Sequence, residues 1–148
     1  MIAWVRENAF TSDECEQIIN NCGINDEVQD KIKSLVDIAC NEKEWKFELM
    51  GLKDNRFHLY KEGDKVVLHK DTPPFPNYTS ARKISTTLQL TDGNEYEGGD
   101  LVIEDETMPR TKGTLIAFRS NLDHEVTAIE KGKRNSLCVW FSGKTIEE

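Results

Sequence analysis

Four residues in this sequence could together form a metal centre beside an anion site. His69 and Asp71 stand two positions apart, so on an extended strand their side chains point the same way. His124 offers a second imidazole, and Arg134 follows ten residues later. Two imidazoles and one carboxylate form the facial triad that holds non-haem Fe(II) and leaves coordination positions open. Because a guanidinium is a planar fork suited to a carboxylate, Arg134 favours a 2-oxoacid with a distal carboxylate as ligand.

Each of these residues has a simpler reading when taken alone. Asp71 precedes Thr72-Pro73 and could be a turn residue, and His124 could be a surface loop residue. An arginine at the start of a strand is usually solvated. The order and spacing of the set favour the metal site. For His58, the remaining histidine, we expect a surface or sheet-face role and not ligation.

Two helices are predicted before the residues of the site. Thr11 to Glu14 reads as a capping box, the apolar positions that follow have helical spacing, and Gly23 ends the helix. A second helix is predicted from about Asp26 to Asn41. We expect both helices to cover one face of a sheet.

The pattern becomes extended after Trp45, with predicted strands over about 45–50, 56–61 and 65–69. A longer strand over 82–91 has two distinct faces, one apolar and one polar. Its polar face carries Ser85, Thr87 and Gln89, which suits the wall of a cavity. Two adjacent glycines, Gly98 and Gly99, indicate positive φ or close backbone packing.

The stretch from His124 to Arg134 is predicted to be a hairpin. Because side-chain direction alternates along a strand, both residues face one cavity only if the connection is odd or contains a β-bulge near 129–133. In that register the cavity is lined by Arg134, Ser136, Cys138 and Trp140. The intervening Leu137, Val139 and Phe141 then face outward, under the helices.

The loop Thr72–Ser80 is rich in proline and cannot join a central strand. It is either a stiff connector or a flap that faces the substrate, since it follows the metal ligands directly and carries Phe75 and Tyr78.

Many short strands after two helices, without a βαβ pattern, predict a mainly β fold with N-terminal helices. We expect one domain over 1–148, with a helical cover at about 11–41 and a barrel-like sandwich at about 45–142.

Composition and net charge limit the kinds of partner and compartment that are expected for the protein. A net charge of −8 and a pI near 5.0 argue against nucleic acid. The four cysteines lack a CxxC pair and are expected to be buried, reduced thiols. No signal peptide or membrane-spanning run is evident. We therefore expect a soluble, cytoplasmic protein that is a monomer or a weak homo-oligomer.

The ordered set resembles the Fe(II)- and 2-oxoglutarate-dependent dioxygenases, in particular their prolyl-hydroxylase-like branch. The resemblance runs from about Phe57 to Phe141 and includes Phe57-His-Leu-Tyr60, Tyr96-Glu-Gly-Gly-Asp-Leu101 and Trp140-Phe141. The segment that opens at Phe10 is similar to the family's first helix. The fold that this implies is a double-stranded β-helix, or jelly roll, backed by two or three helices, with the triad at its open end.

The resemblance also implies roles. His69, Asp71 and His124 would bind Fe(II), and Arg134 would pair with the distal carboxylate of 2-oxoglutarate. Tyr60 matches a tyrosine near the co-substrate, although a buried core tyrosine is an equal reading. Gln89 stands where relatives use a tyrosine, so Ser136 or Thr87 could supply the second partner of the carboxylate instead.

The implied reaction uses dioxygen, converts 2-oxoglutarate to succinate and carbon dioxide, and hydroxylates a substrate C–H bond, with ascorbate as a supporting reductant. A prolyl residue in a peptide or protein is the leading substrate, with Arg82 and Trp140 at the substrate mouth. Hydroxylation of a free amino acid is an alternative. A metal-binding jelly roll that recognises a ligand without turnover is another, although it gives no reason for Arg134.

Overall fold

The computed structural model describes residues 1–72 and 81–146. Two helices come early in the chain, α1 (Ser12–Asn21) and α2 (Asp26–Glu42). The strands of the described residues are β1 (Trp4–Arg6), β2 (Phe47–Tyr60), β3 (Val66–His69), β4 (Arg82–Gln89), β5 (Tyr96–Gly98), β6 (Leu101–Ile103), β7 (Glu106–Thr107), β8 (Leu115–Arg119), β9 (His124–Val126), β10 (Ile129–Gly132) and β11 (Arg134–Thr145). A short 3-10 helix, Gly93–Glu95, precedes β5.

The strands form two principal antiparallel sheets. The larger sheet has the order β1-β8-β4-β11-β2 and the smaller has the order β3-β9-β6-β7, while β10 and β5 pair separately. The mainly β fold with N-terminal helices is therefore confirmed, and the sheets form the expected jelly roll.

The first helix begins where its capping box predicts. Thr11 Oγ1 accepts from the Glu14 amide at 3.1 Å, and Glu14 Oε1 accepts from the Thr11 amide at 2.9 Å. The helix ends in a left-handed residue, Cys22, with φ 53°, one position before Gly23. The second helix runs one residue past its predicted end.

Both helices pack on the outer face of the larger sheet. Leu137, Val139 and Phe141 of β11 are fully buried there, together with Ile84 and Leu88 of β4. A second apolar cluster lies between the two sheets, with Ile103, Met108, Ile116, Phe118 and Ile129 among its buried members. The alternation in β4 and β11 thus separates a helix-covered face from an inner face, as predicted.

The predicted hairpin from His124 to Arg134 is wrong. Strand β9, which starts at His124, pairs with β3 and β6, whereas β11, which starts at Arg134, pairs with β2 and β4. Between them β10 pairs with β5, with a register shift between Ile129 and Lys131. Successive segments enter different sheets, so the two residues belong to opposite walls of the sandwich.

The described residues test three smaller expectations and leave a fourth untested. Residues 47–60 form one continuous strand, not two pieces, and Cys22 is exposed while Cys15 and Cys40 are buried. Gly98 and Gly99 both have positive φ, and a Cβ at Gly98 would stand 2.2 Å from the Ala128 carbonyl oxygen. Most of the predicted flap, residues 73–80, lies outside the described residues.

Across the described ranges, neither helix is long and apolar enough to cross a membrane.

Candidate active site

The predicted metal ligands meet at one point. His69 ends β3, Asp71 follows two residues later, and His124 begins the neighbouring strand β9, directly opposite His69 in the register. Asp71 Oδ1 lies 3.1 Å from His69 Nε2 and 3.3 Å from His124 Nε2. Their ligand atoms all lie within 4.8 Å of one another. Three N and O donors therefore converge as a facial triad requires.

The backbone sets the orientation of both imidazoles. His69 Nδ1 lies 2.8 Å from the Val67 carbonyl oxygen, and His124 Nδ1 lies 3.0 Å from that of Leu122. Because a carbonyl oxygen only accepts, each Nδ1 carries the proton and donates. Nε2 is therefore the ring nitrogen that faces the triad centre in both residues, which is the atom a metal ligand needs.

The carboxylate of Asp71 is kept ionised. Burial disfavours its charge, but the hydrogen bond and charge of His124, with hydrogen bonds from Ser85 and Trp140, hold the pKa of Asp71 well below its ordinary range. Burial likewise disfavours the charge on His124, yet the hydrogen bond and charge of Asp71 outweigh it and raise the pKa of His124. The Asp71 carboxylate is thus charged at neutral pH without a metal.

A cavity of about 420 Å³ opens beside the triad. One wall is built by alternate residues of β11, each opposite an alternate residue of β2, in the pairs Arg134–Tyr60, Ser136–His58, Cys138–Arg56 and Trp140–Asp54. Phe118, Val126 and Leu101 supply an apolar side. His124 and Arg134 therefore share a cavity, as predicted, although they are not on paired strands.

Arg134 forms the end of the cavity away from the triad, and it is buried with 3% of its surface exposed. Its guanidinium carbon lies 5.0 Å from the centre of the Tyr60 ring, and its Nε donates to Gln89 Oε1 at 3.2 Å. Within the described residues, Arg134 Nη1 and the nearby Ser136 Oγ are buried without a hydrogen-bond partner. Arg119 Nε and Asn121 Oδ1 also have no partner there, but only Arg134 and Ser136 line the cavity. Buried polar groups are rarely left unpaired, so these two cavity-lining atoms indicate a ligand position.

Gln89 lies behind Arg134 and does not line the cavity. Its Oε1 accepts from Arg134, while its Nε2 donates to the Thr91 carbonyl at 2.8 Å and to Tyr96 Oη at 2.5 Å. Both ends of the amide are thus engaged within the protein. The geometry makes Gln89 a support for the guanidinium.

Arg82 and Trp140, the predicted mouth residues, lie together on the cavity wall. The Arg82 guanidinium stacks 4.2 Å over the Trp140 ring and pairs with Asp54 at 2.8 Å. Trp140 Nε1 also donates to Asp71 Oδ2 at 2.8 Å. Trp140 therefore contacts the triad itself, which sequence reasoning missed.

Two further residues belong to the site; the sequence placed Ser85 on the cavity face and gave His58 a surface or sheet-face role, but it assigned neither a contact there. Ser85 Oγ donates to Asp71 Oδ2 at 2.6 Å; its place on the polar face of β4 was the available signal. His58 lines the cavity, stacked 5.3 Å from Tyr60. Burial, with the charges of Arg56 and Arg134, lowers the pKa of His58 to about 4, so this imidazole is neutral.

Comparison with known proteins agrees with this geometry. A family model described as the 2OG-Fe(II) oxygenase superfamily matches residues 56–142, which is more than half of the chain and contains the triad and Arg134. This chain belongs to the 2OG-Fe(II) oxygenase superfamily. Fe(II) and 2-oxoglutarate are therefore its expected cofactor and co-substrate.

Within this superfamily, the chain is similar to a PKHD-type hydroxylase of Shewanella oneidensis. The two are 31% identical over 98 residues, which cover 62% of this chain and 44% of the relative. The chain thus matches less than half the length of this curated relative.

Solved structures share the fold. A viral collagen prolyl hydroxylase from Paramecium Bursaria Chlorella virus-1, in a 2OG complex, is 16% identical, with a TM-score of 0.75 over 99% of this chain and 97% of that one. A Trichoplax adhaerens prolyl hydroxylase, in complex with a hypoxia inducible factor peptide fragment, is 16% identical, with a TM-score of 0.71 over 95% and 83%. The likeness to the prolyl-hydroxylase-like branch is confirmed for the fold.

The residues of the site are suited to bind both Fe(II) and 2-oxoglutarate. Two imidazole nitrogens and one carboxylate oxygen suit Fe(II), and the unpaired Arg134 Nη1 and Ser136 Oγ suit a carboxylate. The cavity volume lies within the range of small-molecule sites.

Proposed function

We propose that this chain is an Fe(II)- and 2-oxoglutarate-dependent dioxygenase that hydroxylates a C–H bond, with a prolyl residue of a peptide or protein as its substrate. One observation carries the proposal. Arg134 Nη1 and Ser136 Oγ are buried without a partner among the described residues, in the same cavity as the His69–Asp71–His124 cluster. A ligand that chelates a metal at one end and carries a carboxylate at the other accounts for both ends of that cavity.

The proposed roles follow from position. His69, Asp71 and His124 hold the metal through Nε2, Oδ1 and Nε2, respectively. Arg134 and Ser136 bind the distal carboxylate, with Gln89 fixing the guanidinium from behind and the Tyr60 ring beneath it. With both groups bound, the centre supplies dioxygen activation, in which 2-oxoglutarate becomes succinate and carbon dioxide and one oxygen atom enters the substrate.

The protein's own contribution is orientation and exclusion of water. The Nδ1 hydrogen bonds of both histidines fix their rings before any metal arrives. Phe118 packs edge-on against His124 with ring centroids 4.8 Å apart, and Val126 and Leu101 continue this apolar side. Such preorganisation keeps the reacting groups in place and competing reactions out.

The prolyl substrate is supported by the fold of the structural relatives, one of which was solved with a peptide. In this chain Arg82 and Trp140 lie on the cavity wall, where a peptide carbonyl could accept from the guanidinium. Arg82 already pairs with Asp54, an ion pair with both side chains partly exposed. An arriving backbone carbonyl could join this pair without displacing a buried contact.

The proposed domain arrangement goes with this function. Residues of about 11–41 form the helical cover and residues of about 45–142 form the jelly-roll core, as one catalytic domain within 1–148. The helices and the larger sheet share one apolar cluster, which supports a single domain made of these two parts.

The test is succinate formation from 2-oxoglutarate by protein loaded with Fe(II) anaerobically and then exposed to oxygen. His69→Ala should abolish turnover, and Arg134→Ala should abolish it at 2-oxoglutarate concentrations near the KM of the wild type. Arg6→Ala is the matched control, because Arg6 also stacks on an aromatic ring, that of Trp4, but lies outside the cavity. It should keep full activity.

A panel of substrates separates the alternatives. Stimulation by proline-containing peptides supports the prolyl substrate, whereas stimulation by a free amino acid alone would replace it with a small-molecule hydroxylase. If the metal-loaded protein does not bind 2-oxoglutarate, the oxygenase proposal is wrong and a non-catalytic binding module takes its place.

A further inference from the structure

The two oxygens of Asp71 have different surroundings. Oδ1 faces the Nε2 atoms of His69 and His124. Oδ2 faces away from them and accepts from Ser85 Oγ at 2.6 Å and from Trp140 Nε1 at 2.8 Å. A carboxylate oxygen has two lone-pair positions, so both positions on Oδ2 are occupied by protein donors.

The Trp140 indole is held firmly in this position. On its strand, Trp140 lies opposite Ser85 of β4 and Asp54 of β2. The register shifts directly after it, between Trp140 and Phe141 on the β2 side and between Phe141 and Ser142 on the β4 side. Bulges redirect the neighbouring side chains, and the stacked Arg82, anchored on Asp54, covers one face of the ring.

Ser85 and the Asp71 backbone are fixed by one further residue, the fully buried Ser120. Its hydroxyl lies 2.9 Å from Ser85 Oγ. Its carbonyl accepts from the amides of Asp71 at 2.9 Å and Thr72 at 3.2 Å. The carboxylate of Asp71 is therefore anchored at its backbone and at its outer oxygen.

We propose that Trp140 is a positioning residue which, together with Ser85, occupies Oδ2 of Asp71 and keeps this carboxylate a one-oxygen metal ligand. The proposal rests on the proposed function, since it presumes that the triad holds a metal. A carboxylate can bind a metal through one oxygen or both. If Oδ2 were free to bind as well, it would take a coordination position that 2-oxoglutarate or dioxygen needs.

The proposal gives Trp140 a role towards the metal that is separate from any contact with substrate. Groups that hydrogen-bond to metal ligands typically change metal affinity 10- to 100-fold when they are removed. A residue that only lined the substrate mouth would leave metal affinity and coordination unchanged.

The experiment is an anaerobic titration with cobalt(II), whose visible absorption reports its coordination number, on the full chain without substrate. Trp140→Phe should weaken cobalt(II) binding about 10- to 100-fold, because Asp71 loses a donor that orients it. It should also change the shape of the spectrum, because the freed Oδ2 can reach the metal. Ser85→Ala should change both in the same direction. It removes the other donor while leaving the indole in place, so the test survives if Trp140→Phe folds poorly.

The chain offers a matched control in Trp4. Its Nε1 donates to Glu42 Oε2 at 2.8 Å, and Arg6 stacks 4.9 Å from its ring. Trp4→Phe therefore removes an indole–carboxylate hydrogen bond of the same length outside the cavity. It should leave the cobalt(II) affinity and spectrum as in the wild type.

The double variant Trp140→Phe/Ser85→Ala tests whether the two donors act through the same oxygen. Two donors to one oxygen are not independent, so their effects on the dissociation constant should not multiply.

Two results would overturn the proposal, and they differ. If the wild type binds cobalt(II) and both single variants bind it with the same affinity and spectrum, Trp140 and Ser85 do not position Asp71, and the proposed function stands. If the wild type binds no cobalt(II), the proposed function fails and this proposal fails with it.

Discussion

The two ends of the cavity differ in how their polar atoms are satisfied. At the triad end, each Nδ1 has a backbone acceptor and Asp71 Oδ2 has two donors. At the Arg134 end, buried Arg134 Nη1 and Ser136 Oγ have no partner within the described chain. Paired atoms indicate a scaffold that holds its ligands in place, and unpaired buried atoms that line the cavity indicate where a ligand completes the structure.

The largest effect is expected from substitution of Arg134, which should change binding of 2-oxoglutarate at one end of the cavity without changing metal binding at the other. Truncating one partner of a buried, hydrogen-bonded charge pair costs about 2–5 kcal/mol, so Arg134→Ala should raise KM for 2-oxoglutarate about 100-fold or more. Arg134→Lys keeps the charge but loses the planar guanidinium that can donate two parallel hydrogen bonds, so KM for 2-oxoglutarate should rise about tenfold. Cobalt(II) affinity should not change in either variant. Weaker metal binding in both would mean that the two ends are not separate.

A second prediction concerns His58 at the Arg134 end, where the folded protein keeps the imidazole neutral. Its pKa is lowered to about 4 from 6.5, so between these values the unfolded chain binds more protons and stability falls as the pH falls. The expected loss between pH 6.5 and 4 is about 2 kcal/mol after allowance for solvent screening. Urea unfolding of wild type and His58→Gln across this window measures it. Parallel pH curves for the two proteins would contradict the prediction.

The smallest expected effect compares two serines, one at each end. Ser85→Ala breaks a hydrogen bond to a buried carboxylate and should lower the free energy of unfolding of the metal-free protein by about 1–2 kcal/mol. Ser136→Ala removes an unpaired hydroxyl, so it should leave that stability unchanged or slightly higher. It should nevertheless raise KM for 2-oxoglutarate about three- to tenfold. Equal losses of stability in both variants would show that Ser136 is paired in the free protein.

Much of the fold could be predicted because the deciding patterns are local. The capping box at Thr11 fixes the start of α1, and period-two alternation assigns each residue of β4 and β11 to the correct face. Those assignments held although the hairpin that supported them was wrong. Alternation within a strand depends only on that strand, whereas pairing depends on which sheet the next segment joins.

The triad and Arg134 could also be placed in one cavity from residue types and spacing. The contacts around Asp71 could not, because Trp140 lies 69 positions from it and Ser85 lies 14. Nothing in the local sequence of Trp140 indicates that its indole N–H, and not its ring face, would serve the site. Gln89 was expected near the co-substrate, and the strand pattern does not reveal that Thr91, Tyr96 and Arg134 engage both ends of its amide.

The single carboxylate of the triad has a consequence for selectivity. A divalent metal bound by the Asp71 carboxylate would have a net charge of +1. Arg134 adds a second positive charge at the other end, and His58 adds none because its imidazole is neutral. A dicarboxylate such as 2-oxoglutarate carries two negative charges and would balance the metal, Asp71 and Arg134 taken together. A monocarboxylate 2-oxoacid, such as pyruvate, would chelate the metal equally well but would leave the Arg134 guanidinium buried and uncompensated. We therefore expect the site to discriminate among 2-oxoacids by rejecting an unbalanced charge as much as by attracting the correct one.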